Sequence, residues 1–405
     1  MFRRPEVRTV PRVLTALTCA VAVGLLSACA TAPAVAPHEN VDTPRGAVLE
    51  VTPVEDLTAA EVTDRLRTAD IDPGEVQHGV TAYRVVYATV DADGEPTTAS
   101  QLVAFPQNDE SDLTVVSWLH GTTVYRGDAA SVNADSTDRA AALLFASAGR
   151  AVSAPDYLGL GEGTGTHPYG HPGATVSVSL DALRAARELA GRYERTFDEE
   201  VQVSGFSQGG PATMMLGRAL QEGVDPSFEL GGLAPIAGPF DLSRFEGDAA
   251  DDRIVMASLY LAYFVTAWDR LYDLYDTPRE AFREPYAAKV EGLFDGDHRS
   301  QEIAGALPPT SEALFTSEFL DQVRHPSGTL RQKLRALDTT CDWQPEVPVH
   351  LFHAAGDKDV AFEHARYCGR RLAAHGAEQR LTDIGDTDHN GTVRAALPQV
   401  VRAFA

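Results

Sequence analysis

The sequence predicts an α/β protein: a mostly parallel central sheet with helices on both faces, interrupted by a helical insertion over about 240–334. Two observations carry this. Short, fully apolar runs alternate with longer amphipathic ones, the pattern of strands buried on both faces and interleaved with helices. The alternation stops at Phe240, gives way to aromatic, mostly helical sequence, and resumes at Val347, as an insertion into one continuing unit would. With 405 residues, 44% of them apolar, the chain is long enough to bury a large core.

The first twelve residues carry four arginines against one acid, and a run of 14 apolar or small residues follows (VLTALTCAVAVGLL). These are the n- and h-regions of a secretory signal. Leu26-Ser27-Ala28-Cys29 then looks like the lipobox of bacterial lipoproteins, in which the cysteine is lipidated and becomes the mature N-terminus. The expectation is a signal peptide over 1–28, a lipid anchor on Cys29 and a chain exported to the bacterial cell surface, held at the cell membrane. The Pro/Ala-rich stretch 29–45 has no periodic apolar pattern and reads as a flexible tether to a folded part over 46–405. No later segment approaches 18 apolar residues, so no other span is expected.

The folded part opens with two β-rich runs, TAYRVVYATV and EPTTASQLVAFP, joined by the turn DADG, hence a hairpin. Strands are then expected at 113–119, 151–157, 201–206 and 230–238, with helices near 136–148, across 174–193 and from 208. After the insertion come a strand in VPVHLFHAAG (347–356), a helix over 362–374, a last strand near 379–384 and a C-terminal helix. Cys341 and Cys368 remain as an even pair in an exported, oxidising setting, and a disulfide between them is expected.

Ser207 stands in SGFSQGG, between Gly205 and Gly209. At this glycine content such a Gly-x-Ser-x-Gly arises by chance in roughly one chain in eight, so the pattern alone decides little. Its placement decides more. A β-branched strand precedes the serine and a good helix follows it, which makes a tight strand-to-helix turn where side chains at 205 and 209 would collide with their neighbours. The helix behind Ser207 begins with unpaired N–H groups, and that of Gln208 is the natural first donor to a developing oxyanion. A serine hydroxyl is a weak nucleophile and needs a base oriented by an acid. Asp357 and Asp359 lie on the loop at the C-terminal edge of one strand, and His389 lies on the loop after the last strand. Ligands of open α/β sheets bind at that same edge.

In WLHGTT, SAPDYLGLGEG, SGFSQGG, VPVHLFHAAGDKDVAF and GDTDHNGT, spread over about 113–400, the chain resembles the α/β-hydrolases, and within them the secretory lipase family of fungi and bacteria. The resemblance implies an α/β-hydrolase fold, with Ser207 as nucleophile, His389 as base and Asp357 as orienting acid. It also implies an oxyanion hole in which Gly121-Thr122 supply the second donor beside Gln208. Ala354 in place of the usual glycine and Ala361 in place of a common proline depart from the family pattern and leave Asp359 as a rival acid. Asp386 and Asp388 read as solvated loop carboxylates, His120 as a structural support of the oxyanion loop, and Asp156 and Tyr157 as loop-shaping residues.

The activity expected is cleavage of a small-molecule or lipid carboxylic ester by a lipase or esterase, through an acyl-enzyme, with the insertion as a cap over the site. Peptidase or acyl-transfer chemistry uses the same residues, and a non-catalytic surface lipoprotein of this fold is the third alternative. The formal charge of −24, more negative still without the leader, argues against nucleic acid as a partner. Nothing calls for a cofactor. His167 and His171 both precede prolines, which excludes the i, i+4 helical spacing of a metal pair, and no metal is expected.

Overall fold

The computed structural model describes residues 43–405, so the expected signal peptide, Cys29 and nearly all of the tether lie outside the described residues. One nine-stranded sheet organises the chain, in the order β1-β2-β3-β5-β4-β6-β7-β8-β9. Its strands are β1 (Val48–Leu57), β2 (Val80–Val90), β3 (Pro96–Pro106), β4 (Asp112–Leu119), β5 (Ala151–Pro155), β6 (Thr196–Phe206), β7 (Glu229–Ile236), β8 (Val349–His353) and β9 (Gln379–Asp383). The first three pair antiparallel, β3 also runs antiparallel to β5, and every later pairing is parallel.

Helices cover both faces. On one lie α1 (Ala59–Thr68), α2 (Thr137–Ser147) and the C-terminal α14 (His389–Ala403), which pack Leu66, Leu143 and Leu397 against Val116, Val152 and Ile236. On the other lie α3 (Pro172–Arg192), α4 (Gly209–Gln221) and α13 (Glu363–Ala374), whose Leu183, Leu216 and Leu372 meet Val115, Val203 and Leu351. Adjacent residues of one strand thus feed opposite cores, which explains why the central strands read as unbroken apolar runs.

Two elements are not marked by the patterns above. The edge strand β1 carries Glu50, Pro53, Glu55 and Asp56, and its pairing with β2 slips between Pro53 and Glu55. An edge strand tolerates a proline and charges that a central strand would exclude, so its sequence looks like a loop. Helix α1 is short but well bounded: Thr58 and Glu61 form a reciprocal capping box, and only Val62 and Leu66 are buried.

Between β7 and β8 the chain forms eight helices: α5 (Leu242–Ala250), α6 (Ala257–Tyr272), α7 (Pro278–Ala281), α8 (Val290–Leu293), α9 (Ser300–Ala306), α10 (Ser311–Leu314), α11 (Ser317–Arg324) and α12 (Gly328–Asp338). They share a core of their own, built on Phe264, Trp268, Phe282, Phe315 and Phe319. The aromatic content of the insertion is in large part spent on this packing. Cys341 and Cys368 form a disulfide that ties the exit of this region to α13.

Candidate active site

Strand β6 ends at Phe206 and α4 begins at Gly209, which leaves Ser207 and Gln208 to make the turn. Ser207 takes a left-handed φ of 54°, a conformation that costs a non-glycine residue energy and is held here by its surroundings. Its N–H donates to Ile236 O at 2.9 Å. The flanking glycines are required by close approach: a Cβ on Gly209 would overlap the Leu119 carbonyl, and one on Gly205 would overlap the carbonyls of Gly209 and Leu119.

His389 meets this turn from the far end of the sheet. The GDTDHNGT stretch suggests a loop, but His389 is the first residue of α14. Asp388, expected as a solvated carboxylate, caps that helix by accepting the Gly391 N–H at 2.7 Å. The cap starts the helix at His389, inside the stretch expected as a loop. His389 Nε2 lies 2.9 Å from Ser207 Oγ and its Nδ1 lies 2.6 Å from Asp357 Oδ2. With Asp357 accepting at Nδ1–H, Nε2 presents its lone pair to the serine hydroxyl. Ser207, His389 and Asp357 are 7%, 5% and 6% exposed, so the chain of bonds is shielded from water that would compete for it.

Asp357 is fully engaged. Its Oδ1 accepts the N–H groups of Asp359 and Val360 at 3.0 and 2.9 Å. His353 Nε2 donates to Val360 O at 2.8 Å and lies 3.5 Å from Asp357 Oδ2, a weaker, shared contact. Burial pushes the Asp357 carboxyl up, but the contacts with His353, His389 and Val360 N–H outweigh it and hold it well below the usual carboxylate range. Asp359 faces elsewhere: its carboxylate engages the backbone of Met256 at the start of α6, its Oδ1 is buried without a partner, and burial raises its pKa. Of the two candidate acids, only Asp357 is hydrogen-bonded to His389.

Beside the serine, the loop after β4 carries Gly121 and Thr122. Among the described residues neither Gln208 N–H nor Thr122 N–H has a hydrogen-bond partner, so both donors remain free near Ser207. His120 braces this loop from below, its ring nitrogens 2.6 Å from Gly121 O and 3.0 Å from Asp156 O. Asp156 is buried and accepts from Ser100 Oγ, Ser131 Oγ and Ser131 N–H; burial raises its pKa and these bonds offset the rise in part.

His167 and His171 are separate structural groups. His171 caps α3. His167 Nδ1 donates to Leu158 O at 2.9 Å, which leaves Nε2 to accept the Gln208 side-chain N–H at 3.0 Å. Burial, with a smaller contribution from the neighbouring His120, lowers its pKa to about 3 and keeps the ring neutral. Nothing in the motif GTHPYG signals this link, because it joins residues 41 apart in sequence. No group of three or more His, Cys, Asp or Glu among the described residues is placed to hold a metal ion. No described helix is long and apolar enough to cross a membrane.

The site lies at the bottom of a groove of about 590 Å³, whose walls include Thr122, Ser207, Tyr260 and His389. This mostly parallel sheet with its covering helices matches solved structures over most of the chain. One is a candidate hydrolase of Legionella pneumophila (TM-score 0.81, 25% identity, 88% of this chain and 97% of the other). The chain has the α/β-hydrolase fold. A second hydrolase-fold neighbour is a mutant of the rice cell wall degrading esterase LipA from Xanthomonas oryzae, with TM-score 0.78 and 25% identity over 89% of this chain and 97% of the other. Candida antarctica lipase A, at 14% identity and TM-score 0.64 over 90% of this chain and 84% of its own, shares the fold alone. No protein-family model and no curated protein matches this hydrolase-fold chain.

Proposed function

We propose that the chain is a serine hydrolase of carboxylic esters, an exported lipase or esterase akin to the secretory lipases. The observation that carries this is the continuous run Ser207 Oγ, His389 and Asp357, at 2.9 and 2.6 Å, opening on a groove beside two free backbone donors. The likeness to the LipA esterase supports the ester class.

Ser207 Oγ attacks the ester carbonyl carbon while His389 Nε2 takes its proton. Asp357 holds the ring in that tautomer and stabilises the imidazolium as it forms. The N–H groups of Gln208 and Thr122, with Gly121 giving the loop its close approach, receive the negative charge on the carbonyl oxygen. Collapse of the tetrahedral intermediate passes the proton from His389 to the departing alcohol and leaves an acyl-Ser207. Water, deprotonated by His389, then attacks the acyl carbon and releases the acid. Nothing in this sequence calls on a cofactor.

The reading extends to the N-terminus: a signal peptide over 1–28 is removed, Cys29 is lipidated, and the enzyme stays tethered at the cell membrane. The Cys341–Cys368 disulfide supports an exported setting, since such bonds persist in oxidising compartments. Mass spectrometry of the mature protein tests it, and a Cys29 without acyl groups overturns it. For the chemistry, a fluorophosphonate probe should label Ser207, and Ser207→Ala should lower ester turnover by about 10⁴-fold or more. An alanine variant that keeps its rate overturns the mechanism, and faster turnover of aminoacyl amides than of nitrophenyl esters replaces it with a peptidase.

A further inference from the structure

Behind the oxyanion loop lies a second, smaller space of about 40 Å³, lined by apolar groups such as Pro211, Met215, Leu242, Phe264, Trp268 and Leu337. None of its walls is shared with the groove that holds Ser207. Two stacked tyrosines tie the lining of the small pocket to the loop that lines the groove. Tyr169, which faces the small pocket, shares a hydrogen bond of 2.8 Å between its hydroxyl and that of Thr122, which faces the groove. Its ring stacks on Tyr263 of α6, with centroids 4.4 Å apart and planes within 18°, and Tyr263 OH donates to Thr123 O at 3.1 Å. Tyr263 stacks in turn on Phe294, and Trp268 Nε1 donates to Tyr169 O. The pair is thus braced from the helical insertion and fastened by both hydroxyls to the oxyanion loop.

The two spaces differ in character. The groove beside Ser207 is walled mainly by polar side chains, among them Asp128, Asn133, Asp138, Ser300, Gln301 and Asn390. A long alkyl chain laid there would gain little, because apolar surface is stabilised only where water is excluded from it. The apolar lining that would reward it sits behind the tyrosines, in a space sufficient for only about three waters at roughly 10–15 Å³ each.

We infer that the stacked pair Tyr169–Tyr263 limits the acyl side of the site, so that the enzyme takes esters of short acyl groups, up to about four carbons, and refuses long fatty acyl chains. The inference rests on the ester-hydrolase reading above and assigns its substrate class. Tyr169 sets specificity here by keeping the groove closed to the apolar pocket, and its hydroxyl also holds Thr122.

The test is a series of 4-nitrophenyl acetate, butyrate, octanoate and laurate on wild type, Tyr169→Phe and Tyr169→Ala. The wild type is expected to favour acetate and butyrate over octanoate by at least about 10-fold in kcat/KM, the scale on which a pocket discriminates by a few methylenes. Tyr169→Ala joins the two spaces and should raise the octanoate-to-butyrate ratio by about 10-fold, while Tyr169→Phe, which keeps the stack, should move it less. A wild type that peaks at octanoate or beyond overturns the inference, as does a ratio unmoved in Tyr169→Ala. Labelling of wild-type Ser207 by short and long alkyl fluorophosphonates answers the question without a variant. Faster labelling by the short probe supports the inference, and equal or faster labelling by the long one overturns it. A wild type that no probe labels and that cleaves no ester fails the hydrolase reading itself, and the inference falls with it.

Discussion

At the scale of single residues, the two neighbouring aspartates differ sharply. Asp357 gives one oxygen to His389 and the other to two backbone N–H groups, whereas Asp359 points to the start of α6. Asp357→Asn should retain the fold but favour the wrong tautomer of His389, and kcat should fall about 10³- to 10⁴-fold. Asp359→Asn should stay within about 10-fold of wild type, because it leaves every bond to His389 in place. Steady-state kinetics of the pair settles the assignment, and an equal loss in both variants would refute it. Asp357 was legible through the resemblance to the secretory lipases, but the rivalry was not resolvable in sequence: two residues of separation fix no direction for a side chain.

At the scale of elements, the helical insertion carries a cost of its own. Glu246 on α5 is 1% exposed, its Oε2 has no hydrogen-bond partner among the described residues, and burial raises its pKa well above the ordinary value of 4.5. A carboxyl raised in the folded state contributes its full share of stability only below the unfolded pKa and loses it as pH rises. Glu246→Met, which fills the same space without a polar group, should therefore raise the melting temperature more at pH 8 than at pH 5. Scanning calorimetry at the two pH values checks this, and an equal shift at both would show that the carboxyl is not strained by burial. The disulfide acts at the same scale. It closes a loop with a separation of 27 residues, so Cys368→Ser should cost roughly 3 to 4 kcal/mol, read from the denaturant midpoint with intact protein as reference.

At the scale of the whole molecule, two buried histidines set a response to acid. His364 is 1% exposed, and burial, reinforced by His353 and Arg244, lowers its pKa from 6.5 to about 3; His167 is lowered to the same value. Below pH 6.5 the unfolded chain takes up protons that the folded chain refuses. Stability then falls with pH down to about 3. Between pH 7 and pH 5 the contribution of His364 should fall by about 2 kcal/mol relative to His364→Gln. Urea denaturation of both proteins at the two pH values measures it, and parallel curves would contradict a buried neutral ring.

The sequence by itself determined the sheet, the order of its central strands and helices, the serine turn and the helical insertion. Each depends on local periodicity, on glycine at points of close approach, or on apolar runs that only a doubly covered sheet can bury. It did not mark β1 or α1, since an edge strand and a short capped helix bury too few residues to leave a pattern. The tertiary structure alone decided which aspartate meets His389, that His389 begins a helix, and that His167 grips Gln208 across 41 residues. It alone placed the stacked tyrosines that tie the lining of the small pocket to the loop of the groove. These contacts join residues distant along the chain, and their geometry exists only once the sheet has brought its strand ends to one edge and the insertion has folded above them.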